Sequence, residues 1–82
     1  KIFNEKLAAQ YNVGDLVAFV AGFNQYANYN VDYAIIIDKY VGLDNSLSAF
    51  RIWFDVSCSG RIFKRVGVNR ILKLIASNHG EE

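Results

Sequence analysis

Residues 50–55 read FRIWFD, with three aromatic rings, an isoleucine, an arginine and an aspartate in six positions. Trp53 is the only tryptophan of the chain, and Arg51 stands two residues before it. An arginine beside an exposed ring suits single-stranded nucleic acid, because the ring can stack a base while the cation meets a phosphate. The following run RIFKRVGVNRILK adds Arg61, Lys64 and Arg65 to that chemistry. A second group of rings, Phe23, Tyr26, Tyr29 and Tyr33, surrounds the stretch GFNQYANYN. Tyrosine joins apolar area to a hydroxyl and is enriched where proteins meet. Such rings either form a groove or cage for a protein partner, or partly serve to cap the end of the fold.

Catalytic chemistry is not expected. His79 lies in the tail SNHGEE, and Cys58 has no histidine near it in sequence. Asp15, Asp32, Asp38, Asp44 and Asp55 are scattered along the chain rather than paired, and Gly14, Gly22 and Gly42 lack phosphate-loop spacing. A single cysteine cannot form an internal disulfide, and with a single histidine it cannot complete a zinc site. No cofactor or metal is expected, and the default setting is reducing and cytoplasmic. No apolar run reaches the ~18 residues of a membrane span, and no secretory signal is visible.

The 82 residues suit one small domain, and 52% of them are hydrophobic, enough for an ordinary core. Net charge is only +1. Its distribution is uneven: residues 1–50 carry three basic and five acidic side chains, a balance of −2. Residues 51–73 carry Arg51, Arg61, Lys64, Arg65, Arg70 and Lys73 against Asp55 alone, a balance of +5. That half either attracts phosphate or forms a solvated strand face.

The elements that must position these residues are mostly strands. Phe3, Leu7 and Tyr11 recur four apart and predict a short N-terminal helix over residues 1–12, docked on the domain or on an assembly partner. LVAFVA, YAIIIDKYV, LSAFRIWFDV, RIFKRV and RILKLIA read as five strands, and GFNQYANYN, GLDNS, SCSG and GVN as the connections. Five short strands spanning residues 13–76 favour an antiparallel barrel, because closure removes exposed edges. Residues 77–82 read as a polar tail. Alternation along FRIWFDV puts Phe50, Ile52, Phe54 and Val56 on the core face, with Arg51, Trp53 and Asp55 on the other. Trp53 there is either half-covered packing or a contact residue. Arg61, Phe63 and Arg65 alternate with Ile62, Lys64 and Val66. Placing the arginines outside brings Lys64 inside, a conflict that a bulge near Gly60 or Lys64 would relieve.

The stretch VGDLVAFVAGF, residues 13–23, resembles the opening of a KOW motif, with Gly14–Asp15, an alternating strand, then Gly22–Phe23. YAIIID looks like that family's following strand, and FRIWFDVSCSGRIFKRVGVNRILKL like its closing hairpin and last strand. Tudor-type domains and small phage proteins of SH3-like kind are also similar, the latter with GDLV early and WFD before a basic strand. The resemblance implies an SH3-like barrel that binds RNA, DNA or proteins of the transcription and translation machinery, without catalysis. The expectation is thus a mostly β domain, an SH3-like five-stranded antiparallel barrel with a short N-terminal helix, contacting nucleic acid or its machinery through Arg51, Trp53, Arg61, Lys64 and Arg65. The alternative is a protein-interaction or assembly subunit, such as a small virion or host-targeting phage protein, acting through Phe23, Tyr26, Tyr29, Tyr33 and the helix.

Overall fold

A computed structural model describes residues 2–23, 25–26 and 28–77. His79 and most of the expected polar tail lie outside the described residues. The order of elements is β1 (Ile2–Phe3), α1 (Glu5–Ala8), β2 (Leu16–Phe23), β3 (Tyr29–Asp44), β4 (Ala49–Cys58), β5 (Arg61–Gly67), a 3₁₀ turn (Val68–Arg70) and β6 (Ile71–Ala76). The chain is mostly β, with one very short helix. All six strands join one sheet in the order β1-β4-β3-β2-β6, and β5 also pairs with β4.

The sheet is curled but not closed into a barrel. The 3₁₀ turn connects β5, at one side of the sheet, to β6, at the other. Three 3₁₀ residues rise only ~6 Å, whereas the outer strands of a flat five-strand meander lie ~19 Å apart. The sheet must therefore bend its two sides towards each other. Ring contact across the bend agrees: Phe19 of β2 meets Phe63 of β5 edge to face at 5.4 Å. Even so, β5 pairs with β4, β6 pairs with β2, and no ladder joins β5 to β6.

The bend encloses the core. Val17, Phe19, Ala34, Ile36, Phe54, Val56, Cys58, Val66, Val68 and Ile71 form one buried cluster, covered by Ala8 and Tyr11 from the N-terminal segment. Phe54, Ile36 and Val17 are buried as their strand positions predict. Phe50 is not: it lies on the same side of β4 as Phe54 but is 53% exposed. The reason is that β3 and β4 run on past the core as a hairpin arm, with the turn at 45–48 rather than over the expected GLDNS.

The N-terminal segment also differs from its expected form. Ile2 and Phe3 pair in parallel with Phe50 and Arg51, and Asn4 takes a left-handed conformation, φ 60°. The helix therefore starts late and makes a single turn. Tyr11 is buried against Phe54, whereas Phe3 and Leu7 are 42% and 45% exposed, so the three do not share one buried face. The Gly14–Asp15 pair has a structural task. Gly14 adopts φ 96° and donates to Ile36 O, Asp15 O accepts from Ile36 N–H, and the buried Asp15 carboxylate accepts from Asn12 N–H at 2.9 Å. Pairing runs into both ends of the loop expected at 22–30, out to Phe23↔Tyr29. An irregularity at Ala21 is tied down by Arg70, whose Nη2 donates to Val20 O at 2.8 Å and Ala21 O at 3.3 Å.

Phe54 is fully buried at the junction of arm and core. Phe54→Ala should cost ~3–5 kcal/mol, from lost transfer energy plus the cavity. Denaturant unfolding checks this, and a cost under ~1 kcal/mol would mean that the ring is not packed as described.

Candidate functional site

Trp53 lies on the same side of β4 as Arg51 but offers no open ring: it is 8% exposed. Its indole rests on the neighbouring strand, where Nε1–H donates to Gly42 O at 3.1 Å. A Cβ on Gly42 would come within 3.1 Å of Cδ1 and Nε1, so glycine is what lets the ring lie this close. The opposite neighbour of Trp53, on β5, is also a glycine, Gly67. Two guanidinium groups cover the ring, Arg65 at 4.2 Å and Arg51 at 5.3 Å from its centroid. Arg51 lies also over the Phe3 ring, at 5.0 Å, and its Nε is 3.4 Å from Asp44 Oδ2. That ion pair lacks hydrogen-bond geometry, and Arg51 Nε is otherwise unpartnered. The result is a stacked column of Phe3, Arg51, Trp53 and Arg65.

Arg65 reaches the column because of a bulge. Phe54 faces Val66 and Val56 faces Phe63, so Lys64 and Arg65 together oppose Asp55. Arg65 takes φ 55°, and its N–H donates to Asp55 Oδ1 at 3.2 Å, which also accepts the Tyr40 hydroxyl at 2.7 Å. Burial, followed by the Asp55 bond, pushes the Tyr40 hydroxyl above its ordinary value. Before the bulge, Phe63 turns inward to Phe19; after it, Val66 is buried. The alternation of Arg61, Phe63 and Arg65 on one outer face is therefore broken. Arg61 stacks on Phe63, 4.7 Å from its centroid, rather than beside Trp53.

Three arginines of the basic half are held by contacts within the protein. Arg51 and Arg65 sheathe Trp53, with Arg65 Nη2 donating to Leu43 O at 3.0 Å, and Arg70 is held by β2 carbonyls. Arg61, Lys64, Arg65 and Lys73 are nonetheless exposed.

The second ring group is open. Phe23, Tyr26, Tyr29 and Tyr33 are 65%, 74%, 64% and 61% exposed. Phe23 and Tyr29 face each other across the β2–β3 ladder, their centroids 5.2 Å apart. Beside them is a cleft of ≈ 400 Å³ lined by Val20, Gly22, Phe23, Tyr29, Asn69, Arg70 and Leu72. From Tyr29 the alternation carries an apolar stripe along β3 through Val31, Tyr33 and Ile35, ending at the bulged Ile37, all exposed. Val31, Ile35 and Ile37 join the tyrosines through odd-numbered alternation along the strand, a signal that ring composition does not carry. Chemistry of other kinds has little support. Burial, then Asp32, pushes the Cys58 thiol up, which lowers its thiolate fraction. Among the described residues no cluster of His, Cys, Asp and Glu could hold a metal, and no helix is long and apolar enough to cross a membrane.

Two outcomes test the column. Gly42→Ala should displace the indole and cost ~1–3 kcal/mol through overpacking, with a shift in tryptophan emission; an unshifted spectrum and unchanged stability would refute the close seating. Asp44 is held below the ordinary carboxylate value, first by the Ser46 hydroxyl and, among smaller causes, by Arg51. A depressed folded value contributes stability that is present above the ordinary value and is lost as pH falls through the depressed one. Asp44→Asn should therefore flatten the acid limb of the stability profile, and an acid limb identical to wild type would count against the pairing.

No family model matches the chain, and comparison with curated proteins and with solved structures finds no significant relative.

Proposed function

We propose that this chain is a non-catalytic protein-interaction module, acting through the aromatic surface of the β2–β3 hairpin and the outer stripe of β3. One observation carries the reading: Phe23, Tyr26, Tyr29, Val31 and Tyr33 are each more than half exposed and lie along one hairpin. Monomeric soluble proteins rarely leave large contiguous apolar patches to water. The cleft beside Phe23 and Tyr29 gives an anchoring side chain a place to enter, and Arg70 fixes its far wall by bonding β2 rather than by swinging freely. The partner chemistry that fits is an apolar or aromatic segment of low charge. The same reading includes the finer fold: an SH3-like barrel type, supported by a four-strand meander followed by a 3₁₀ turn that brings β6 back onto β2.

Contact with RNA, DNA or a protein of nucleic-acid machinery through Arg51, Trp53, Arg61, Lys64 and Arg65 is the weaker proposal, because the ring that would stack a base is already stacked by arginine. A cytoplasmic or virion setting fits the protein-binding reading equally.

The test is co-purification from the native source with wild type and two variants, followed by affinity measurement on the retained partner. Tyr33→Ser, or Tyr29→Ser, should weaken binding tenfold or more, since truncating a buried interface anchor costs ~2 kcal/mol or above. Arg61→Ala combined with Lys64→Ala should leave it unchanged, and added salt should have little effect. Retained nucleic acid that is released by salt and lost in the Arg61/Lys64 variant would overturn the reading.

A further inference from the structure

The hairpin arm has one finished face and one unfinished face. Past Asp38↔Asp55, β3 and β4 continue for six pairs, from Lys39↔Phe54 to Asp44↔Ala49, an arm ~20 Å long. On its outer face Trp53 is sealed by Arg51 and Arg65, and Arg51 meets Asp44. The inner face continues the line of Phe54 and Lys39 outward. There Val41, Leu43 and Phe50 are 51%, 47% and 53% exposed, and Leu47 in the turn is 44% exposed. Ile52 and Ile2, beside them in register, are half-buried. β1 and the end of β5 pair with the other edge of β4 here, so the arm is held as sheet while its apolar inner face stays open.

We propose that the inner face of this arm is a dimerisation surface, and that its occupant is the inner arm face of a second copy of the chain. This surface is separate from the tyrosine hairpin. On the two arm strands the one charged side chain of this face, among the described residues, is Lys39, and that ammonium is turned back to the core, where it donates to Tyr11 O at 2.7 Å and lies over the Phe54 ring. With no charge presented by the strands themselves, the face selects an equally apolar surface, and the opposite charges of the exposed Glu5 and Lys6 beside Ile2 can pair across a two-fold. The area agrees with two copies. The exposed parts of these side chains amount to on the order of 500 Å², so two copies face to face would bury about 1,000 Å², the size at which specific association begins. A two-fold axis is the simplest closed arrangement, because each copy then meets the same patch on the other. Shape also fits: Phe50 is the tallest side chain on the face and stands diagonally across the ladder from the smaller Val41, so each copy offers a projection and a recess, at the ~10 Å spacing of stacked sheets.

Sedimentation equilibrium of the purified chain through the micromolar range tests this. The expected result is a concentration-dependent dimer that Phe50→Asp converts to monomer, with at least a tenfold rise in dissociation constant, while Tyr33→Asp leaves it intact. Circular dichroism shows whether Phe50→Asp is folded. Should it not fold, Leu47→Asp supplies the same test from the turn. A monomer throughout the range, a dimer that survives Phe50→Asp or Leu47→Asp, or a dimer broken only by Tyr33→Asp would overturn the proposal. The last of these outcomes would place self-association on the tyrosine hairpin instead, and none of them bears on whether that hairpin binds a different protein.

Discussion

The seating of Trp53 on Gly42 is the constraint around which the two sides of the sheet are arranged. Strand β4 pairs with β1, β3 and β5, and it buries side chains on both of its faces. Inward it contributes Phe54, Val56 and Cys58 to the core. Outward it carries an indole, which needs a partner for its N–H and cover for its faces. Gly42 supplies the carbonyl and the space, and the arginines supply the cover. Arg65 can do so only because the bulge at Lys64–Arg65 turns its side chain out while Val66 turns in. The positive φ of Arg65 is a strained choice for a residue with a Cβ. Its N–H bond to Asp55 and its Nη2 bond to Leu43 O hold it there.

Much of the strand pattern was legible, because alternation reports which side chains can share a face. The five expected strands are all present, and Phe54, Ile36 and Val17 are buried where alternation places them. The bulge that relieves the Lys64 conflict occurs at one of the two places where that conflict required it. What alternation cannot report is how far the core extends along a strand. Phe50 has the right parity and the wrong height, lying in the arm beyond the core. The N-terminal helix is present but shorter than its spacing suggested, for a related reason. The i, i+4 spacing of Phe3, Leu7 and Tyr11 is compatible with a helix, but Ile2 and Phe3 gain ladder bonds on β4, and a single remaining turn has little helical stability of its own. Closure of the barrel was likewise inferred from strand number, whereas closure depends on whether β5 and β6 approach in register.

The exposure of the tyrosines was legible in the sequence, whereas the stacking of the arginines on rings was not. Phe23, Tyr26, Tyr29 and Tyr33 are open to solvent, and Phe23 and Tyr29 pair with each other. The arginines were counted by charge, but a guanidinium is also a flat, weakly hydrated surface that stacks on rings. Arg51, Arg61, Arg65 and Arg70 each lie over an aromatic side chain. Composition alone cannot separate a cation that waits for phosphate from one that roofs a ring, since both come as arginine next to an aromatic residue.

A single local irregularity explains why the chain has two apolar surfaces instead of one. Strand β3 carries apolar or aromatic side chains at positions 29, 31, 33, 35, 37, 41 and 43, a period-two pattern that would ordinarily mark one face. The register shift between Ile36 and Asp38 inserts Ile37 as an extra residue, and an insertion of one reverses the facing of everything beyond it. Tyr29, Val31, Tyr33 and Ile35 therefore lie outside the curled sheet, whereas Val41 and Leu43 lie on the side that continues the core. Had the ladder run without the bulge, Val41 and Leu43 would have fallen on the side where Trp53 is seated, and the carbonyl neighbour of its indole would no longer be Gly42. The same extra residue that gives Trp53 its glycine thus turns the apolar end of the arm inward, so the sealed outer face and the open inner face have one structural origin.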